Sequence, residues 1–138
     1  MTPDHFDDYI RAVLRTAPDH NGPGEQLQQG ALGLIAEYRE YNSAIDPDDK
    51  RAERGDMLWY LALLVDGARA IGDVRLHTNE QGSLSSALYE LCGAVEDWRY
   101  QQKDGAADDV CGYVEALYSR LIRRVDEPIE GDDRGSRP

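Results

Sequence analysis

Cysteine, lysine and strand-forming runs are all scarce in this chain. The two cysteines, Cys92 and Cys111, lack C-x-x-C spacing and fall at apolar helical positions, which excludes a disulfide framework and points to reduced thiols. No apolar run approaches the roughly 20 residues that span a bilayer. The first nine residues hold three acids and no Lys or Arg, so they do not read as a signal peptide, and a cytoplasmic address is expected. Cations are outnumbered, 15 Lys and Arg against 27 Asp and Glu, for a formal net charge of −12. A nucleic-acid binder needs a basic footprint to displace counterions, and none is visible. His5, His20 and His77 are scattered, and none stands three residues after an acid, so a di-iron bundle of the Glu-x-x-His type is excluded.

What is present is helical periodicity. The chain has 138 residues, 41% apolar and 30% charged, which suits one domain with one core. Phe6, Ile10, Val13, Leu14 and Ala17 form one stripe and predict a helix from about Pro3 to Ala17, stopped by Pro18. A second helix is expected from about Glu25 to Ala44, with Leu27, Ala31, Leu34, Tyr38 and Tyr41 on one face and Leu32 and Ile35 widening it. Asp46-Pro47-Asp48-Asp49 is the clearest helix start in the chain: an N-cap, a proline at the first position and acids at the positive dipole end. That third helix runs to about Ile71. Its broad apolar face marks it as the central helix, or as one buried in an oligomer.

A polar linker, Gly72 to Gly82, precedes a fourth helix from about Ser83 to Gln102 and a fifth from about Ala106 to Arg124. The expected fold is an all-α bundle of about five helices, a domain over residues 1–126, with a disordered polar tail over 127–138. The second and fourth helices match faintly at a constant offset. Coincidence between amphipathic helices accounts for it more readily than duplication of a helix pair, and Gly93 and Gly112, glycines inside helices, suggest close helix approach.

The chemistry lies in acids. Glu37 and Glu40 share one face of the second helix, and Glu53 and Asp56 repeat the i, i+3 spacing on the third. The short connection makes these helices antiparallel neighbours, so the pairs face each other. Four converging carboxylates repel unless cations lie between them, and an all-oxygen donor set selects Mg²⁺ or Mn²⁺ over Zn²⁺. A solvated acidic face is the plain alternative for either pair alone.

The residues around these acids carry a resemblance. Gly33-Leu34-Ile35-Ala36-Glu37-Tyr38-Arg39-Glu40 resembles the G-L-x-x-E-x-x-E stretch of MazG-like nucleoside-triphosphate pyrophosphohydrolases. Glu53-Arg54-Gly55-Asp56-Met57-Leu58-Trp59-Tyr60-Leu61 is similar to their E-x-G-D-x-L-W-Y-L stretch, and Tyr9 to Ala17 resembles their first helix. The resemblance spans about Asp7 to Ile71. It implies an all-α, oligomeric enzyme, a homodimer or homotetramer, that uses Mg²⁺ to hydrolyse a nucleoside or deoxynucleoside triphosphate to the monophosphate and pyrophosphate. It implies Glu37, Glu40, Glu53 and Asp56 as metal ligands and Tyr60 near the nucleotide; the chemistry of the acids themselves adds that Glu37 or Glu40 can accept a proton from water.

Lys50 and Arg39 are cationic donors for phosphates, or surface charges relieving the acids. Trp59 stacks on a base or packs in the core. Ala36 stands where many members have a further Glu, Tyr38 and Arg39 replace small residues, and the later family segment is not evident after Gly72. A MazG-like bundle without catalysis, acting as an interaction or regulatory module, therefore stands as the alternative.

Overall fold

The computed structural model describes residues 1–129 and residue 131. They form α1 (Pro3–Thr16), α2 (Pro23–Ser43), α3 (Pro47–Arg69), α4 (Leu84–Glu96) and α5 (Ala106–Val125), with no strand among the described residues. Proline occupies the start of α1, α2 and α3, where its missing N–H costs nothing. Side-chain caps complete three of the starts. Thr2 Oγ1 accepts from His5 N at 3.2 Å, Asp46 Oδ1 from Asp48 N at 2.7 Å, and Ser83 Oγ from Ser86 N at 3.2 Å.

One boundary differs from the expectation. The fourth helix leaves α geometry at Glu96 and continues as a π-helical turn, Asp97–Gln101, ended by Gln102 at φ +50°. Periodicity does not report such a turn, because its composition is that of an ordinary helix. The turn brings Arg99 and Tyr100 together onto α2: Arg99 bonds Gln28 and Gly24 O, and Tyr100 Oη donates to Gln28 Oε1 at 2.8 Å.

The architecture is two helical hairpins and a leading helix. Contacts between α2 and α3 pair Gln26 with Asp66, Gly30 with Leu64, Gly33 with Tyr60 and Glu37 with Glu53, so one number rises as the other falls and the helices are antiparallel. α4 packs on α5 in the same way of adjacency, α1 lies on α3, and α3 meets α5. The broad apolar face of α3 is thereby covered within the chain: Met57, Leu61, Ala62, Leu63, Leu64, Val65 and Ala68 are all buried. It is the central helix, and its breadth needs no second copy to explain it. Leu14 and Leu32, expected to extend the apolar faces, are exposed instead. Phe6 and Tyr118 join α1 to α5 edge to face at 5.1 Å between ring centroids.

The glycines that let helices approach are Gly30, Gly33 and Gly67, not Gly93 and Gly112. A Cβ on Gly30 would lie 2.9 Å from Leu64 Cγ, and one on Gly67 3.0 Å from Leu27 Cγ, whereas at Gly93 and Gly112 it would meet nothing within 4 Å. The expectation of tight packing at Gly93 and Gly112 is overturned. Each sits in a helix interior with open space, so Gly93→Ala and Gly112→Ala should each raise unfolding free energy by up to about 1 kcal/mol in urea titrations. A loss of stability in either variant would contradict this.

Among the described residues, no helix is long and apolar enough to cross a membrane. Of the expected tail, Ile129 is buried, and beyond Ile129 the chain apart from residue 131 lies outside the described residues.

Candidate functional site

The antiparallel register of α2 and α3 brings three of the four expected acids together. One carboxylate oxygen each from Glu37, Glu40 and Glu53 can be chosen so that all lie within 4.8 Å of one another. Glu37 and Glu53 are half-buried between the helices, and Glu40 is exposed at the rim. Asp56 stands outside this trio on the exposed side of α3, yet its charge is felt by Glu37 and by Tyr9 of α1.

The inner pair is under electrostatic load. Oε2 of Glu37 and Oε2 of Glu53 are both buried, and as two carboxylates they offer each other no donor. The Glu37 carboxyl is accordingly pushed up to about 8, first by the hydrogen bond it shares with Glu53, then by burial, then by the charges of Glu53, Asp56 and Glu40. The Glu37 carboxyl thus keeps its proton to higher pH than an ordinary carboxyl does. A divalent cation is the other way to satisfy the same oxygens, and an all-carboxylate donor set fits a hard ion.

This shift fixes a pH dependence. Glu37 binds its proton more tightly when folded (about 8) than at the ordinary value of 4.5, so folding gains most below pH 4.5 and the gain is lost as pH rises towards 8. In chelator, the melting temperature should fall between pH 5 and pH 8.5. Glu37→Gln, which carries a permanent donor towards Glu53, should flatten that fall, and Mg²⁺ should reverse it at pH 8.5. A Glu37→Gln profile identical to the parent's would show that Glu37 is not its source.

Comparison with known proteins returns nothing: no family model, no curated protein and no solved structure matches this chain.

The remaining expected residues fall around the acids in different ways. Tyr60 lies across Gly33, one turn before Glu37, filling the space a Cβ there would take, and its ring meets Trp59 edge to face at 5.1 Å. Trp59 and Tyr60 are half-buried and packed against the core. Lys50 Nζ sits 4.9 Å above the Tyr41 ring, and Arg39 is exposed. Among the described residues, neither Lys50 nor Arg39 forms an ion pair with the trio.

Two neighbours of the site were not legible beforehand. Tyr9 packs from α1, its hydroxyl pushed up by burial and by Asp56. Arg54, between Glu53 and Asp56, points away from the acids and ties three elements: it donates to Tyr41 Oη at 3.2 Å, Val125 O at 3.2 Å and Glu127 O at 2.7 Å. Its partners lie up to 73 residues away, beyond the reach of any local pattern.

Proposed function

We propose that this chain is a MazG-like, Mg²⁺-dependent pyrophosphohydrolase that cleaves a nucleoside or deoxynucleoside triphosphate to the monophosphate and pyrophosphate. The observation that carries the reading is the convergence of Glu37, Glu40 and Glu53 with two buried oxygens left without a donor. Glu37, Glu40, Glu53 and Asp56 are the residues that would hold the metal. When bound there, Mg²⁺ supplies neutralisation of phosphate charge and polarisation of water.

The chain's own residues then have distinct tasks. One carboxylate, Glu37 or Glu40, is assigned proton acceptance from the attacking water. Glu53 stands beside Glu37 and is the main reason its carboxyl holds a proton more tightly. Tyr60 and Trp59 form the apolar wall beside the acids, offering ring faces to a nucleobase. Lys50 and Arg39, neither of them in an ion pair among the described residues, are available to phosphate oxygens at the rim.

The reading includes action in the cytoplasm on a free nucleotide, without nucleic-acid or membrane partners, as a homodimer or homotetramer. Support for assembly comes from exposed apolar groups of α2 and α4, with Leu32 59% and Tyr89 82% exposed. Sedimentation at micromolar concentration tests it.

The activity is tested by pyrophosphate release across the common NTPs and dNTPs with Mg²⁺, paired with calorimetry of Mg²⁺ with and without a non-hydrolysable dNTP analogue. Metal-dependent release supports the enzyme. No release from any nucleotide, together with no Mg²⁺ binding, overturns it in favour of a non-catalytic helical module.

A further inference from the structure

The linker between the two hairpins is fastened to the far half of α5. Ser119 Oγ accepts from Glu80 N at 2.9 Å and donates to Glu80 O at 3.1 Å. One residue on, Arg120 Nη1 donates to Ser83 O at 2.8 Å. Gly82 lies between these ties at φ +130°, and a Cβ there would stand 3.1 Å from Arg120 Nη2, so the loop backbone rests directly on the guanidinium. Arg123 and Arg124 follow at i+3 and i+4 on the same face of α5. The three arginines, with Glu80, Gln81, Gly82, Leu84 and Glu127, line an open cavity of about 370 Å³.

Basic residues in a last helical turn complement the dipole, and that accounts for Arg123 and Arg124. It does not account for Arg120, which stands further in, half-buried, with Nε buried and unpartnered. Among the described residues, none of the three guanidiniums is in an ion pair, although the chain holds 27 acids and two of them line this cavity. Three guanidiniums outnumber the two acids of this concavity and, among the described residues, form no ion pair with them, and an oxyanion both offsets their mutual repulsion and matches the guanidinium fork.

We propose that this cavity binds a phosphate-type oxyanion, either the free ion or the phosphate of a monoester, with Arg120 as the fixed donor and Arg123 and Arg124 as the outer ones. Glu80 and Glu127 also line the cavity and repel the added charge of a longer polyphosphate, so the site prefers a single phosphate group to a triphosphate. It is separate from the acid cluster and does not depend on the function proposed for that cluster.

The test uses the full chain in chelator, so that no metal carries phosphate to the acids. Inorganic phosphate at about 10 mM should raise the melting temperature by about 4 °C over chloride at equal ionic strength. Amide signals of Gly82 and Arg120 should shift with the same dependence on concentration. Arg123→Gln/Arg124→Gln should weaken the effect about tenfold while the protein remains folded, and the exposed single change Arg123→Gln should weaken it less. Phenyl phosphate acting more strongly than inorganic phosphate would identify a monoester as the ligand, and equal effects the free ion. A melting shift no larger than that of chloride, or one retained in the folded double variant, would overturn the proposal.

Discussion

Glu53→Gln is expected to lower Mg²⁺-dependent pyrophosphate release by about 10³-fold, and Asp56→Asn by about 10²-fold, with the helical circular-dichroism signal unchanged in both. The ordering follows from position. Glu53 supplies an oxygen to the trio and stands beside Glu37, whereas Asp56 acts from outside the trio through its charge. Both substitutions are nearly isosteric, and neither residue belongs to the packed core, so the fold has little to lose. Glu53→Gln also gives the Glu37 carboxylate a permanent amide donor, which should make the metal-free protein more stable while removing one of the proposed ligands. Undiminished turnover in both variants would remove the acid cluster from the chemistry.

Gly33→Ala is expected to cost about 1 kcal/mol of stability. A methyl group at Gly33 falls within the Tyr60 ring, which must shift against Trp59 and the core to make room. Overpacking of this kind costs about 1–3 kcal/mol, partly offset by about 1 kcal/mol from replacing a helical glycine. Tyr60→Ala in the same chain should relieve the clash, so the two changes together should cost less than the sum of each alone. Additive costs in urea titrations would mean that Tyr60 and Gly33 do not press on one another.

Much of this geometry was readable from spacing. Asp46 and Pro47 announce the start of α3, and Asp46 does accept from Asp48 N as an N-cap should. The i, i+3 acids and the short turn between α2 and α3 were enough to expect Glu37 and Glu53 opposite each other. Spacing reports which residues share a face, but not what arrives at that face from elsewhere. It could not say that Asp56 stands aside from the trio, nor that Tyr9 approaches it from α1. It could not distinguish Gly33, pressed by Tyr60, from Gly93, which faces open space. The Arg54 ties to Val125 and Glu127 depend on the whole bundle closing, and a sequence window around Arg54 contains none of their partners.

The π-helical turn at Asp97–Gln101 has a consequence for how this chain tolerates change in length. A π turn holds about one residue more than an α turn. A single-residue deletion there is absorbed by straightening, and α5 keeps its place. The same deletion in α3 rotates everything beyond it by about 100°, carrying the acids away from their partners on α2. The turn ends on Gln102 in the left-handed region, and two of its neighbouring side chains, Arg99 and Tyr100, meet the same glutamine of α2. The end of the fourth helix is thus the place where the chain has one residue to spare, and the third helix is its ruler.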